Sequence, residues 1–211
     1  MHVLRKHWKL TGVVVLAIAV AAVFAGSVAH GASKSDQITF TMVRSAAAEA
    51  ANCVPNASAR VVVNSTGPVE TMTVRVRGLP ADTEFDFFVI QVPNTPFGLS
   101  WYQGDIETNS RGVGTGTFVG RFNIETFIVA PGSAPAPVVH NGPFPDASLN
   151  PATNPIHTYH LGLWFGSPEA ASAAGCPANV TPFDGEHDAG IQVLSTRNAP
   201  DNMGPLRGLG S

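Results

Sequence analysis

The stretch ETMTVRVRGLPADTEFDFFVIQV, residues 70–92, decides the fold class. Across 70–77, Met72, Val74 and Val76 alternate with Thr71, Thr73, Arg75 and Arg77. A period of two puts the first set on one face and the second on the other, which is the pattern of a half-buried strand. A helix would need apolar residues three and four apart. The link GLPADT, residues 78–83, carries glycine and proline, which interrupt both regular structures. Residues 84–92 then place phenylalanine on both faces, as a strand covered on both sides does. Arg75 and Arg77 fall on the polar face of the first strand and are expected to be solvated there.

The same patterning continues outward. Residues 37–44 (QITFTMVR) alternate Ile38, Phe40 and Met42 with polar neighbours, and 60–64 (RVVVN) form another β-branched run. Residues 99–107 and 113–122 flank the Asn/Ser/Gly loop 108–112, a hairpin signal. On the return strand Gly114, Gly116, Phe118, Gly120 and Phe122 share a face, where glycine permits close approach or a bulge. Residues 123–129, 157–165 (HTYHLGLWF) and 189–196 (AGIQVLST) complete the strands. Residues 45–52 are alanine-rich enough for a helical turn or two. At 167–174, Ser167 as N-cap, Pro168 and Glu169 open a short helix, and Gly175 closes it. The expected fold is all-β: an antiparallel β-sandwich, immunoglobulin-like, with a long Pro-rich loop and one short helix. Its domain spans 30–197; an insertion at 130–156 contains seven prolines, and 198–211 is expected to be a flexible C-terminal tail.

The N-terminus has a separate purpose. Arg5, Lys6 and Lys9 precede an apolar run from Val13 to Phe24, which ends in Gly26-Ser27-Val28-Ala29. A basic start, a short apolar run and small residues at a cut site make 1–29 a secretory signal peptide. Localisation is therefore expected to be secreted, with no stable membrane insertion after cleavage. Of 12 basic and 15 acidic residues, cleavage after Ala29 removes three basic ones, leaving 9 against 15, or −6. No lysine/arginine cluster remains, which excludes nucleic acid as an expected partner. The two cysteines, Cys53 and Cys176, both follow the signal, and an even count in an exported chain reads as one disulfide.

The piece from Val74 to Phe122 resembles the hairpins of immunoglobulin-like domains in exported bacterial proteins. The chain after the signal is similar to a group of exported bacterial proteins with no assigned activity, above all at FGLSWYQGDIET (97–108), HTYHLGLWF (157–165) and GEHDAGIQVL (185–194). The resemblance implies fold and location and carries over no site residue.

Trp101, Tyr102, Tyr159 and Trp164 are the candidate ligand-binding residues, since aromatics sharing an exposed face stack on sugar rings or form a partner patch. For a metal, His157, His160, Asp184 and His187 are weak candidates; His157 and His160, three apart on a strand, point to opposite faces. His140, Glu186 and Asp188 complete the inventory near them. Asp105 and Glu107 share a strand face, as glycosidase carboxylates do, but no catalytic residue is expected. Asn56, Asn64 and Asn179 head N-x-S/T sequons. No cofactor is expected. The reading is a secreted non-catalytic module with a cell-surface, matrix or ligand-binding role and a surface polysaccharide or protein as partner. The alternative is a secreted hydrolase whose site the Pro-rich loop would rim. N-terminal sequencing of protein recovered from the medium is expected to begin at His30 or Ser33; an intact Met1 on the mature protein would refute the signal.

Overall fold

A computed structural model describes residues 36–65, 67–122, 127–128, 156–181 and 188–209. The strands in chain order are β1 (Gln37–Arg44), β2 (Ser58–Ser65), β3 (Glu70–Arg77), β4 (Glu84–Ile90), β5 (Ser100–Glu107), β6 (Gly114–Gly120), β7 (Phe127–Ile128), β8 (Ile156–His157), β9 (His160–Phe165) and β10 (Gln192–Ser195). Two short helices, α1 (Ala46–Ala50) and α2 (Pro168–Ala173), and a 3-10 turn at Pro205–Gly208 complete the elements. Eight strands form one antiparallel sheet in the order β5-β4-β9-β10-β1-β2-β3-β6, and β7 pairs with β8 separately. The all-β class is as the sequence predicts.

The sheet is not flat. From Gln37 to Met42, β1 pairs with β2; at Val43 and Arg44 it pairs with β10 instead. The strand thus turns a corner, and the sheet folds back on itself. Its two terminal strands meet near the hairpin, where Thr108 bridges Gly114, so the outline is nearly that of a barrel.

The core lies between the two halves. Val61, Val63, Met72, Val74 and Val76 come from one side, and Phe85, Phe87, Leu161, Leu163 and Phe165 from the other, all essentially inaccessible. Phe87 stacks on Phe118 across the halves at 4.9 Å. Burial of this kind stabilises by roughly 1.5–3 kcal/mol per large side chain. The alternating pattern of β3 and the two-faced burial of β4 are those read from 70–92. On the outer face of β4 and β9, Phe88, Ile90, Trp164 and Ala189 form a second apolar cluster, with Phe97 packed edge-on to Trp164 at 5.1 Å.

The glycines in the strands make room for rings. A Cβ on Gly162 would lie 2.2 Å from the Trp164 ring, and one on Gly116 2.7 Å from the Phe118 ring. In each case an aromatic two residues downstream folds over the bare backbone, and this is the close approach that the glycine-rich face of β6 called for.

Two expectations change. The 157–165 strand is interrupted at Thr158 and Tyr159, where β8 ends and β9 begins. Residues 198–209, read as part of a flexible tail, are packed: Leu206 and Leu209 are fully buried, and the Leu206 amide donates to the Tyr159 carbonyl at 3.2 Å. Two leucines outweigh the Gly/Pro content that suggested a loose end. The Pro-rich segment 130–156 lies, except for Ile156, outside the described residues.

Cys53 and Cys176 are bonded, with Cα atoms 5.2 Å apart and a sequence separation of 123. Each sits just past a short helix. Ser45 caps α1 by accepting from the Ala48 amide, and the Cys53 amide returns to the Ala48 carbonyl. Ser167 caps α2 by accepting from the Ala170 amide, and after left-handed Gly175 the Cys176 amide returns to the Ala171 carbonyl. The caps set where each chain leaves its helix and so where each sulfur lies. Closing a loop this long stabilises by about 5 kcal/mol in the chain-entropy account. Cys53→Ala/Cys176→Ala is therefore expected to lower the thermal midpoint by roughly 10 °C, read by calorimetry; an unchanged midpoint would show that the bridge contributes nothing to stability.

Candidate functional site

The outer face of β4, β5 and β9 carries a group of carboxylates beside Tyr102 and Trp164. β4 and β5 pair so that Asp86 lies opposite Asp105 and Glu84 opposite Glu107. The ladder then slips: Phe87 faces Gly104, while Phe88 faces Tyr102, leaving Gln103 as the extra residue of a bulge. The bulge resets the phase of β5. Residues three apart on a regular strand point to opposite faces; across the bulge, Tyr102 and Asp105 share one, and the phenol donates to Asp105 Oδ1 at 2.6 Å. Gly104, at φ 141, supplies the backbone freedom that this requires.

Glu84, Asp86 and Asp105 each bring a carboxylate oxygen within 4.8 Å of the others. Asp86 is 5% exposed, whereas Glu84 and Asp105 are open to solvent. Gly166 lies beside them, and a Cβ there would approach Glu84 Oε1 to 3.2 Å. All the donors are oxygens, the set a hard cation such as calcium takes; exposed acidic groups of this kind are also common without an ion. The sequence pointed to Asp105 and Glu107 but not to Glu84 and Asp86. A single sequence carries no register between strands, and Gly104 within a strand pattern was the available sign of the bulge.

The aromatic candidates divide. Tyr102 packs on Phe88 at 5.4 Å, and Trp164 meets the same ring at 5.3 Å, so these two share the outer face. Trp164 is fully buried. Trp101 lies opposite Val89, a core residue, and so points to the other side of β5; as part of a terminal strand it stays 46% exposed. Tyr159 stacks on His157 at 5.2 Å, between β8 and β9. The structure does not bring the four together.

Of the metal candidates, Asp184 and His187 lie outside the described residues. His160 is fully buried, and both its ring nitrogens are engaged: Nδ1 with Thr196 Oγ1 at 2.8 Å, Nε2 with the carbonyls of Pro200 and Asp201. Two carbonyl partners put the proton on Nε2, so Nδ1 accepts from Thr196. Burial lowers its pKa, with opposing contributions from those hydrogen bonds. This histidine fastens the segment after β10 to the sheet.

No protein-family model matches the chain, and no curated protein matches it.

Both tyrosine pKa values are raised. Burial raises the Tyr102 pKa first, followed by its hydrogen bond to Asp105 and the negative charges of Asp105, Asp86 and Glu84. Burial likewise raises Tyr159, against the nearby positive charge of Arg207. Since the chain has 2 tyrosines, absorbance near 295 nm reports on them alone. The native protein is expected to show less tyrosinate than the unfolded chain as pH passes about 10, the unfolded value. Above that pH the unfolded chain releases protons that the native state keeps, so stability falls as pH rises. A titration of both phenols near pH 10 in folded protein would contradict the geometry.

Proposed function

We propose that the chain is an exported, immunoglobulin-like β-sandwich that acts outside the cytoplasm as a non-catalytic binding module. Strand order supports the immunoglobulin-like reading: β2-β3-β6 corresponds to A-B-E, and β5-β4-β9-β10 to C′-C-F-G, with β1 added between them. Tyr159 precedes Leu161 by two residues near the start of β9, as the corner tyrosine of antibody domains precedes their second cysteine. Leucine there, and a bridge between other segments, depart from the antibody pattern. Export is supported by the signal-like N-terminus and by the Cys53–Cys176 bond, which persists in oxidising compartments. Among the described residues no helix is long and apolar enough to cross a membrane.

The binding role rests on one observation. Trp101 and Tyr102 are 46% and 43% exposed on a terminal strand, while Trp164 and the phenylalanines of β4 are buried. Covering such rings is favourable, and they are common anchors at binding surfaces. Of the 3 tryptophans Trp8 falls in the signal, leaving Trp101 and Trp164 as the emitters of the mature protein. Fluorescence titration of the mature protein against a panel of neutral oligosaccharides is expected to blue-shift the emission and protect Trp101 from acrylamide. Trp101→Phe should remove the shift. A panel that leaves the emission unchanged throughout would reject stacking of sugars at this edge.

A further inference from the structure

The opposite outer face, on β1, β2 and β3, is organised around charge. Register places Thr41 beside Arg60, Arg60 beside Arg75 and Arg75 beside Thr115, a row running across four strands. The next position pairs Ser58 with Arg77, whose Nε donates to the Ser58 hydroxyl at 3.0 Å. All three arginines are exposed. A groove of about 710 Å³ runs along them, bounded by Val113 from the hairpin and by Asn198, which donates to the Thr41 carbonyl. Arg75 and Arg77 lie on the polar face of an amphipathic strand, and only the strand register places Arg60 beside Arg75.

Like charges directly opposite on neighbouring strands are destabilising. Among the described residues no carboxylate pairs with Arg60 or Arg75, although the mature chain is acidic overall. Three of its nine basic residues, counted after the signal, stand on this one face. An anion bridging Arg60 and Arg75 would turn their repulsion into attraction, and the guanidinium fork suits a planar carboxylate. Neighbouring strands lie about 5 Å apart, close to the length of one pyranose residue. A polyuronate laid across the strands would therefore present carboxylates at nearly the pitch of the arginines, with Thr39, Thr41, Ser58 and Asn198 beside the sugar hydroxyls.

We infer that this groove binds an acidic polysaccharide of the polyuronate type, with Arg60 and Arg75 as the carboxylate-binding pair and Arg77 at its margin. The inference rests on the binding-module reading and adds a ligand class and a second face to it, remote in sequence from the Trp101 edge.

The test is calorimetric titration of the mature protein with oligogalacturonate, beside neutral dextran, dextran sulfate and polyglutamate. Oligogalacturonate is expected to bind, more weakly as salt rises, whereas any binding of neutral dextran is expected to be unaffected by the loss of Arg60 and Arg75. Arg60→Gln/Arg75→Gln should weaken binding at least roughly tenfold, the loss expected for a charged hydrogen bond. Arg77→Gln should give a smaller loss, and Trp101→Ala none; circular dichroism establishes that each variant is folded. Equal binding by wild type and the double variant, or no binding at all, overturns the inference. So does equal affinity for dextran sulfate or polyglutamate, which would assign the face to charge alone. Self-association abolished by the double variant would assign it to a second copy of the chain and overturn it too. Loss of oligogalacturonate binding in Trp101→Ala alone would remove the groove from the account and leave the binding-module reading standing.

Discussion

Strand β1 has to satisfy neighbours in both halves of the sheet, and the rest of the architecture follows from how it does so. Six residues run along β2; the last two lean on β10. The turn between them leaves backbone groups to be satisfied, and Ser45 takes up this role at the end of the strand. Its amide donates to the Val193 carbonyl, its hydroxyl donates to the Gln192 carbonyl at 2.6 Å, and the same oxygen accepts from Ala48 to start α1. One buried hydroxyl thus closes the corner and begins the helix that delivers Cys53. A buried serine bonded on both sides is a low-cost polar group; with one partner removed it becomes an expensive one.

Much of the framework was legible because it is written locally. Met72, Val74 and Val76 alternate strictly, residues 87–90 are apolar on both faces, and Ser167, Pro168 and Gly175 punctuate a helix in the expected order. The cysteine pairing followed from there being two of them. What the sequence did not show depends on distance along the chain. Arg60 and Arg75 are neighbours only because β2 and β3 pair in one register, and Asp86 meets Asp105 only because β4 and β5 do. A slip of one residue would reverse the faces of every side chain on the strand. The packed end of the chain was missed for a related reason: Leu206 and Leu209 carry no periodic signal, and their burial depends on what lies opposite.

The two outer faces differ in charge as well as in shape. Glu84, Asp86, Asp105 and Glu107 line one, and Arg60, Arg75 and Arg77 the other. Such a separation leaves the net charge untouched but gives the molecule a direction. Near a charged surface the field acts on both faces at once and biases the approach before any contact forms, more strongly at low ionic strength.

The bridge also determines what happens to a broken chain. Cys53 and Cys176 enclose β2 through β9, leaving only β1 and β10 of the main sheet outside the ring, and these two pair with each other. A protease that cuts once anywhere between the two cysteines opens the ring without releasing a fragment, because the two pieces remain joined through sulfur. The nicked molecule migrates as two pieces only under reduction, and its halves stay at high effective concentration for each other. For a protein in a protease-rich setting, damage to the backbone and loss of the fold become separate events.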